Sequence, residues 1–294
     1  MKLVTYRIGK NEKVGVLTAG ESSLYQIEAF GLNYKTMLEL IENITIDEKK
    51  MIREKMSSGM LDAIPLKKVK LLATIPRPRQ DLICLGVNYI EHMNEANKSL
   101  DDANFKDQDS AIYFSKRVNE AVASGDYIES HSDIVKDLDY ECELAVIIGK
   151  KARNVKAEDA LDYVFGYTIV NDVSARTIQV RHKQWYFGKS LDGFTPMGPS
   201  LVTADEFAFP PKLKLQCKVN GELRQNIMTD MMIHTIPEVI EELSHGMTLL
   251  PGTIIITGTP SGVGLACNPP KVLKPRDIVE CIIEGIGNLS NEIK

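Results

Sequence analysis

Polar and apolar residues alternate with a period of two at the start of the chain. Residues 3–8 and 13–18 flank the turn residues Gly9-Lys10-Asn11, and 23–27 form a third such run, so the pattern predicts a compact hairpin unit. Two helical patterns follow. Asn33 stands where it would cap a helix over 34–42, and Asp47 where it would cap one over 48–57. Ile75-Pro76-Arg77-Pro78-Arg79 is then a stiff, extended connector, because proline disfavours helix at the residue before it. A domain boundary is expected there, with a small N-terminal α+β domain over residues 1–78 and a larger domain over 79–294.

Beyond the connector, short β-branched or apolar runs dominate: 81–85, 144–148, 164–170, 213–219, 253–257 and 278–284, each bounded by Gly, Pro or Asn. Helical patterns are fewer, at 89–97, 157–163, 175–183 and 236–244. Strands this irregularly spaced, with so few helices between them, argue against a doubly wound parallel sheet. The fold class expected is α+β, mainly β. The polar, acidic stretch 97–110 has no apolar periodicity and reads equally as a lid or as a solvent-exposed linker.

Bulk properties narrow the function classes. With 294 residues, 44% hydrophobic and 26% charged, the chain matches an ordinary globular protein with room for a sizeable core. A net charge of −5 gives no general attraction to nucleic acid or to anionic membrane. The five cysteines (Cys84, Cys142, Cys217, Cys267, Cys281) are scattered, with no Cys-x-x-Cys pair. That argues against a disulfide framework or a zinc ribbon and leads to an expected cytoplasmic location.

Four constellations carry candidate chemistry. In Asp139-Tyr140-Glu141-Cys142-Glu143, the two glutamates of a strand point to one face, ahead of a run that is apolar at both parities. Either a hard cation compensates them, or they sit at a solvated strand end or pair with Lys or Arg. Asp172 ends the run 164–170, as a third ligand or as a helix cap, and Arg176 and Gln179 share the next helix face. His92 and Glu95 are three apart, as a base dyad or a surface pair. Gly188-Lys189-Ser190 lacks the upstream glycine of a phosphate-binding loop, so Lys189 is either a charge beside a keto-acid oxygen or a surface lysine. The Gly-rich turn Thr257-Gly258-Thr259-Pro260-Ser261-Gly262-Val263-Gly264 either cradles a carboxylate with its N–H groups or is a tight structural turn.

Taken in order, these segments resemble the fumarylacetoacetate hydrolase family. The match runs through Gly86-x-Asn88-Tyr89-x-x-His92-x-x-Glu95 and Tyr140-Glu141-x-Glu143-Leu144. It continues through Gly166-Tyr167-Thr168-x-x-Asn171-Asp172-x-Ser174-Ala175-Arg176-x-x-Gln179, Gln184-Trp185-x-x-Gly188-Lys189-Ser190-x-Asp192 and the Gly-rich turn, across residues 80–294. The resemblance implies a β-sandwich roll, usually homodimeric, behind a small extra N-terminal domain. It implies Mg²⁺ or Mn²⁺ (Ca²⁺ in some members) on Glu141, Glu143 and Asp172. It assigns catalytic places to His92, Glu95, Lys189 and Gln179, and substrate-binding places to Arg176, Thr259, Tyr89 and Gly258. The activity implied is metal-dependent hydrolysis of a C–C bond in an acylpyruvate-type keto acid. Oxaloacetate-type decarboxylation, keto–enol isomerisation and a non-catalytic metal-binding protein are the alternatives. Gly193, Cys142 and Arg117 depart from the family pattern and are expected at the pocket walls or lid.

Overall fold

The computed structural model describes residues 1–99 and 110–294. Eleven strands form one mixed sheet. From edge to edge it runs Ile64–Pro65, Ser23–Gln26, Asn11–Leu17, Lys2–Ile8, Met197–Thr203, Val164–Asn171, Cys142–Ile148, Ile254–Ile256, Leu82–Gly86 and Ile112–Lys116, with Lys70–Leu71 paired to Lys2–Ile8. All pairs are antiparallel except Ile254–Ile256 with Leu82–Gly86. A second, five-stranded sheet runs Glu222–Met228, Lys214–Val219, Ile278–Ile283, Gly287–Ile293 and Tyr127–Ile128. The α+β, mainly β class therefore stands, and no helix among the described residues is long and apolar enough to cross a membrane.

The strand Cys142–Ile148 is buried along its whole length because each face meets a different layer. Cys142, Leu144, Val146 and Ile148 join Leu215, Cys217, Val279 and Cys281 of the second sheet in one core. Ala145 and Ile147 join Met37, Leu40, Ile41 and Ile52 of the N-terminal helices in another. Burial on both faces is why this run lacks the alternation of a half-exposed strand.

Several sequence expectations shift. The N-terminal helices are Met37–Asn43 and Ile46–Ser57, capped by Thr36 and Thr45 rather than Asn33 and Asp47. Thr45 and Glu48 form a reciprocal capping box, which outcompetes an Asp one turn into the pattern. Ala157–Tyr163 is a 3₁₀ helix. The strands Met197–Thr203, Glu222–Met228 and Gly287–Ile293 escaped the pattern because polar residues or a glycine and a proline interrupt each run. Of the acidic stretch 97–110, residues 100–109 lie outside the described residues, and the lid reading with them.

Gly166 pairs with Thr203 where Val164–Asn171 meets Met197–Thr203, and a Cβ there would sit 2.1 Å from the Val202 carbonyl oxygen. Gly166→Ala is expected to destabilise the protein by about 2 kcal/mol or more, since backbone cannot yield as a flexible side chain does. A urea unfolding curve with an unchanged midpoint would contradict that contact.

Candidate metal centre and substrate cavity

Strand register gathers the acidic residues. Cys142 pairs with Asn171, so Glu141 and Asp172, just outside the two strand ends, become neighbours, and the Asp172 N–H donates to the Glu141 carbonyl at 2.8 Å. The Asn171 side chain closes the same corner by accepting the Glu141 N–H at 3.0 Å. One carboxylate oxygen each from Glu141, Glu143 and Asp172 lies within 4.8 Å of the others, and all three residues are buried. The solvated strand end is thereby excluded. Asp172 does not cap a helix either, since Arg176–Arg181 begins after Ala175 with no side-chain cap.

Buried cations face this cluster. Lys189 Nζ donates to Glu141 Oε2 at 2.6 Å and to Asp172 Oδ2 at 2.8 Å. Arg176 Nη1 donates to Glu141 Oε1 at 2.6 Å. Lys116 Nζ forms an ion pair with Asp172 Oδ1 at 2.7 Å and donates to the carbonyls of Val173 and Lys189. Burial opposes ionisation of Glu141, yet the charges of Lys189, Arg176 and His92 outweigh it and hold its carboxyl down to about 2. Glu143 behaves oppositely: burial, then the charges of Asp172 and Glu141, push it well above the usual carboxylate range. Among the described residues it has no cationic partner, only the Gly258 N–H at 2.6 Å.

Four buried carboxylates, counting Asp139, thus meet three buried cations, Lys116, Arg176 and Lys189. The uncompensated charge lies at Glu143. An all-oxygen set of three buried carboxylates with one charge uncompensated is what a hard divalent cation would satisfy, so the residues fit Mg²⁺ or Mn²⁺.

The Gly-rich turn does cradle carboxylates, but they belong to the protein. The Gly258 N–H serves Glu143, the Gly262 N–H serves Glu95 at 2.9 and 3.0 Å, and the Gly264 and Leu265 N–H groups serve Asp139 at 2.7 and 3.0 Å. Gly258 therefore supports Glu143 of the candidate metal centre with its N–H. Glycine is required: Gly262 has φ +100°, and a Cβ there would lie 1.9 Å from the Arg224 carbonyl oxygen.

In front of the cluster lies a cavity. His92, Glu95, Glu141, Arg176, Gln179, Lys189 and Thr259 all line it, and Leu85, Phe114, Trp185 and Val263 contribute to an apolar wall. His92 Nδ1 is 3.4 Å from Glu95 Oε2. Gln179 accepts from Arg176 Nη1 at 3.2 Å. The Thr259 hydroxyl accepts from Gln225 Nε2 at 2.8 Å and donates to the Cys142 carbonyl at 3.2 Å, so its side chain is already engaged. Tyr89 and Gly258 do not line the cavity, and Tyr89 is packed in the core between the sheets. Nor do Gly193, Cys142 or Arg117: Cys142 points to the second sheet, and Arg117 is exposed. Val87 on the cavity wall holds φ +55°, a strained conformation for a β-branched residue.

Sequence reading missed Lys116, Asp139, Asn171 and Gln225. Asp139 carried a signal, since it shares strand parity with Glu141 and Glu143. Lys116 ends a run of strand residues, where a charge usually marks solvent. Gln225 is fully buried, accepting the Cys142 N–H at 3.1 Å and donating to Thr259 and Pro260, and nothing local distinguishes it from an exposed strand glutamine.

A buried three-carboxylate centre beneath a small cavity defines an enzyme-like site for a small molecule. The family model described as fumarylacetoacetate (FAA) hydrolase C-terminal matches residues 81–294. The chain belongs to the fumarylacetoacetate hydrolase family, whose enzymes act on small molecules. It is 48% identical over 228 residues to the oxaloacetate tautomerase YisK of Bacillus subtilis, covering 78% of this chain and 74% of that protein. It is 36% identical over 300 residues to the human mitochondrial oxaloacetate tautomerase FAHD2A, covering 100% and 91%. Among solved structures, a fumarylacetoacetate hydrolase from psychrophilic Exiguobacterium antarcticum superposes with TM-score 0.84 at 36% identity, covering 100% and 99%. Maleylpyruvate hydrolase from Sphingobium sp. SYK-6, solved with manganese(II) and pyruvate, superposes with TM-score 0.77 at 28% identity, covering 100% and 98%.

Asp172→Asn is expected to weaken Mn²⁺ binding by more than about tenfold, because an amide oxygen replaces a charged ligand. Isothermal titration calorimetry measures this, and an unaltered affinity would remove Asp172 from the ligand set.

Proposed function

We propose that the chain is a divalent-cation-dependent enzyme that interconverts the keto and enol forms of an oxaloacetate-type 2-keto diacid. The observation that carries this reading is that His92 shares a small cavity with Arg176, Lys189 and Glu141, in a chain similar to oxaloacetate tautomerases along most of its length. Tautomerisation needs one movable proton and a place for negative charge, and the cavity walls offer both.

A cation held by Glu141, Glu143 and Asp172 would supply Lewis-acid polarisation of the 2-oxo group. The residues of the chain supply the rest. Arg176 Nη2 is buried and unpartnered, which suits it to a substrate carboxylate. Lys189 has its proton affinity lowered by burial but raised further by Asp172 and Glu141, so it stays an ammonium at neutral pH. Its charge stabilises negative charge developing on the 2-oxo oxygen. Gln179 turns its carbonyl to Arg176, leaving its amide N–H groups for the same oxygen. His92 accepts the proton leaving C3 and returns one to oxygen, and Glu95 beside Nδ1 steadies the ring so that Nε2 is basic.

Hydrolysis of an acylpyruvate is the second reading. It is favoured by the His92–Glu95 pair, which also suits activation of a water, and by the likeness to maleylpyruvate hydrolase. Decarboxylation of oxaloacetate would draw on the same charge stabilisation without an attacking water. The division at residue 78, a cytoplasmic location and a homodimeric assembly belong to the same proposal; sedimentation velocity reads the last.

With Mg²⁺ or Mn²⁺ present, the chain is expected to speed the fall of enol absorbance when enol-rich oxaloacetate equilibrates, without forming pyruvate. Rapid pyruvate release from acylpyruvates, with no effect on oxaloacetate, would establish the hydrolase instead. His92→Ala should lower the tautomerisation rate by about 10²-fold or more, the usual size of a general acid–base contribution. A rate within twofold of wild type would remove His92 from the proton path.

A further inference from the structure

We propose that Asp139 is a positioning residue that aims the Arg176 guanidinium at the substrate carboxylate and ties it to the loop that also holds Glu95. The inference rests on the reading above that Arg176 receives a carboxylate.

Asp139 is fully buried, and four N–H groups converge on its two oxygens. Arg176 Nε and the Leu265 N–H reach Oδ2 at 2.9 and 3.0 Å. The N–H groups of Tyr140 and Gly264 reach Oδ1 at 3.0 and 2.7 Å. Arg176 is thus pinned at Nε by Asp139 and at Nη1 by Glu141 and Gln179. A planar group held at two of its three nitrogens has no rotation left, so the direction of the third is set. That third nitrogen, Nη2, is the one that is buried without a partner, and Arg176 lines the cavity.

The same carboxylate anchors the far end of the Gly-rich loop. Through Gly264 and Leu265 it holds the segment whose Gly262 N–H binds Glu95, the partner of His92. The fit leaves no slack, since a Cβ on Gly264 would lie 2.6 Å from Asp139 Oδ1. A carboxylate is the group this position needs. An asparagine of the same shape accepts through one oxygen only, and its amide would confront two of the four donors.

The test is a double-mutant cycle on the full chain loaded with Mn²⁺, using oxalate, a small dicarboxylate, as the probe. Oxalate and Mn²⁺ affinities are both measured by calorimetry on wild type, Asp139→Asn, Arg176→Lys and the double variant. Asp139→Asn is expected to weaken oxalate about tenfold, the scale of a misaimed charge-assisted hydrogen bond, while Mn²⁺ affinity stays within about twofold. In the Arg176→Lys background the same change should cost oxalate affinity nothing further, because the group it aims is gone. An equal loss in both backgrounds would overturn the proposal, as would an oxalate loss that merely tracks Mn²⁺ affinity, or a wild type that does not bind oxalate. Should Asp139→Asn fail to fold, Asp139→Glu, which keeps the charge and shifts it by one methylene, is read by the same criteria. Oxaloacetate turnover is scored separately, so a wild type that binds oxalate but does not tautomerise counts against the reaction and leaves the cycle legible.

Discussion

Four carboxylates stripped of water within one small volume repel each other, and the centre of this fold is arranged against that repulsion. Asp139, Glu141, Glu143 and Asp172 are all buried. In a low-dielectric interior each would take up a proton rather than stay charged unless something offsets it. Three buried cations and a row of backbone N–H groups do so incompletely. The remainder falls on Glu143, whose carboxyl is pushed up, while Glu141 between Lys189 and Arg176 is held down to about 2. Glu141, Glu143 and Asp172 together form the set that a divalent cation would complete.

That compensation also explains how distant parts of the chain are bound together. Gln225 reaches from the second sheet to the backbone of Cys142 and to the Gly-rich loop. Lys116, at the end of an edge strand, joins Asp172 to the carbonyls of Val173 and Lys189. The loop distributes its N–H groups over the carboxylates of Glu143, Glu95 and Asp139. Of the close approaches in this loop, Gly264 lies against the Asp139 carboxylate, while Gly258 and Gly262 lie against Asn88 and the Arg224 backbone.

The sequence carried the fold class, and it pointed to many of the residues that the structure gathers around the candidate site. Paired glutamates before an apolar run, an aspartate closing the next strand and an arginine–glutamine pair on a helix face were all legible, because local spacing fixes which side chains share a face. The partners of Asp139 and Lys116 were not, although both residues are as buried as Glu141, Glu143 and Asp172. Their partners lie 37 and 56 residues away in sequence, at Arg176 and Asp172, and only strand register brings them together. Gly258 shows the converse error. The chemistry of its N–H was read correctly, but which carboxylate it meets depends on where Glu143 points. The missed strands have a single cause, since Met197–Thr203, Glu222–Met228 and Gly287–Ile293 are held by cross-strand pairing despite polar or turn-forming residues within them.

The pairing of Lys2–Ile8 with Met197–Thr203 has a consequence for how the protein is handled. The N-terminal strands complete the row of hydrogen bonds on one flank of the central sheet. Cleaving them away would uncover Leu201 and Val202, buried positions on a strand with free backbone donors and acceptors. Such an edge recruits strands from other molecules. A fragment trimmed at the proline-rich connector would thus keep every group proposed for chemistry and still self-associate, losing solubility before it lost its site.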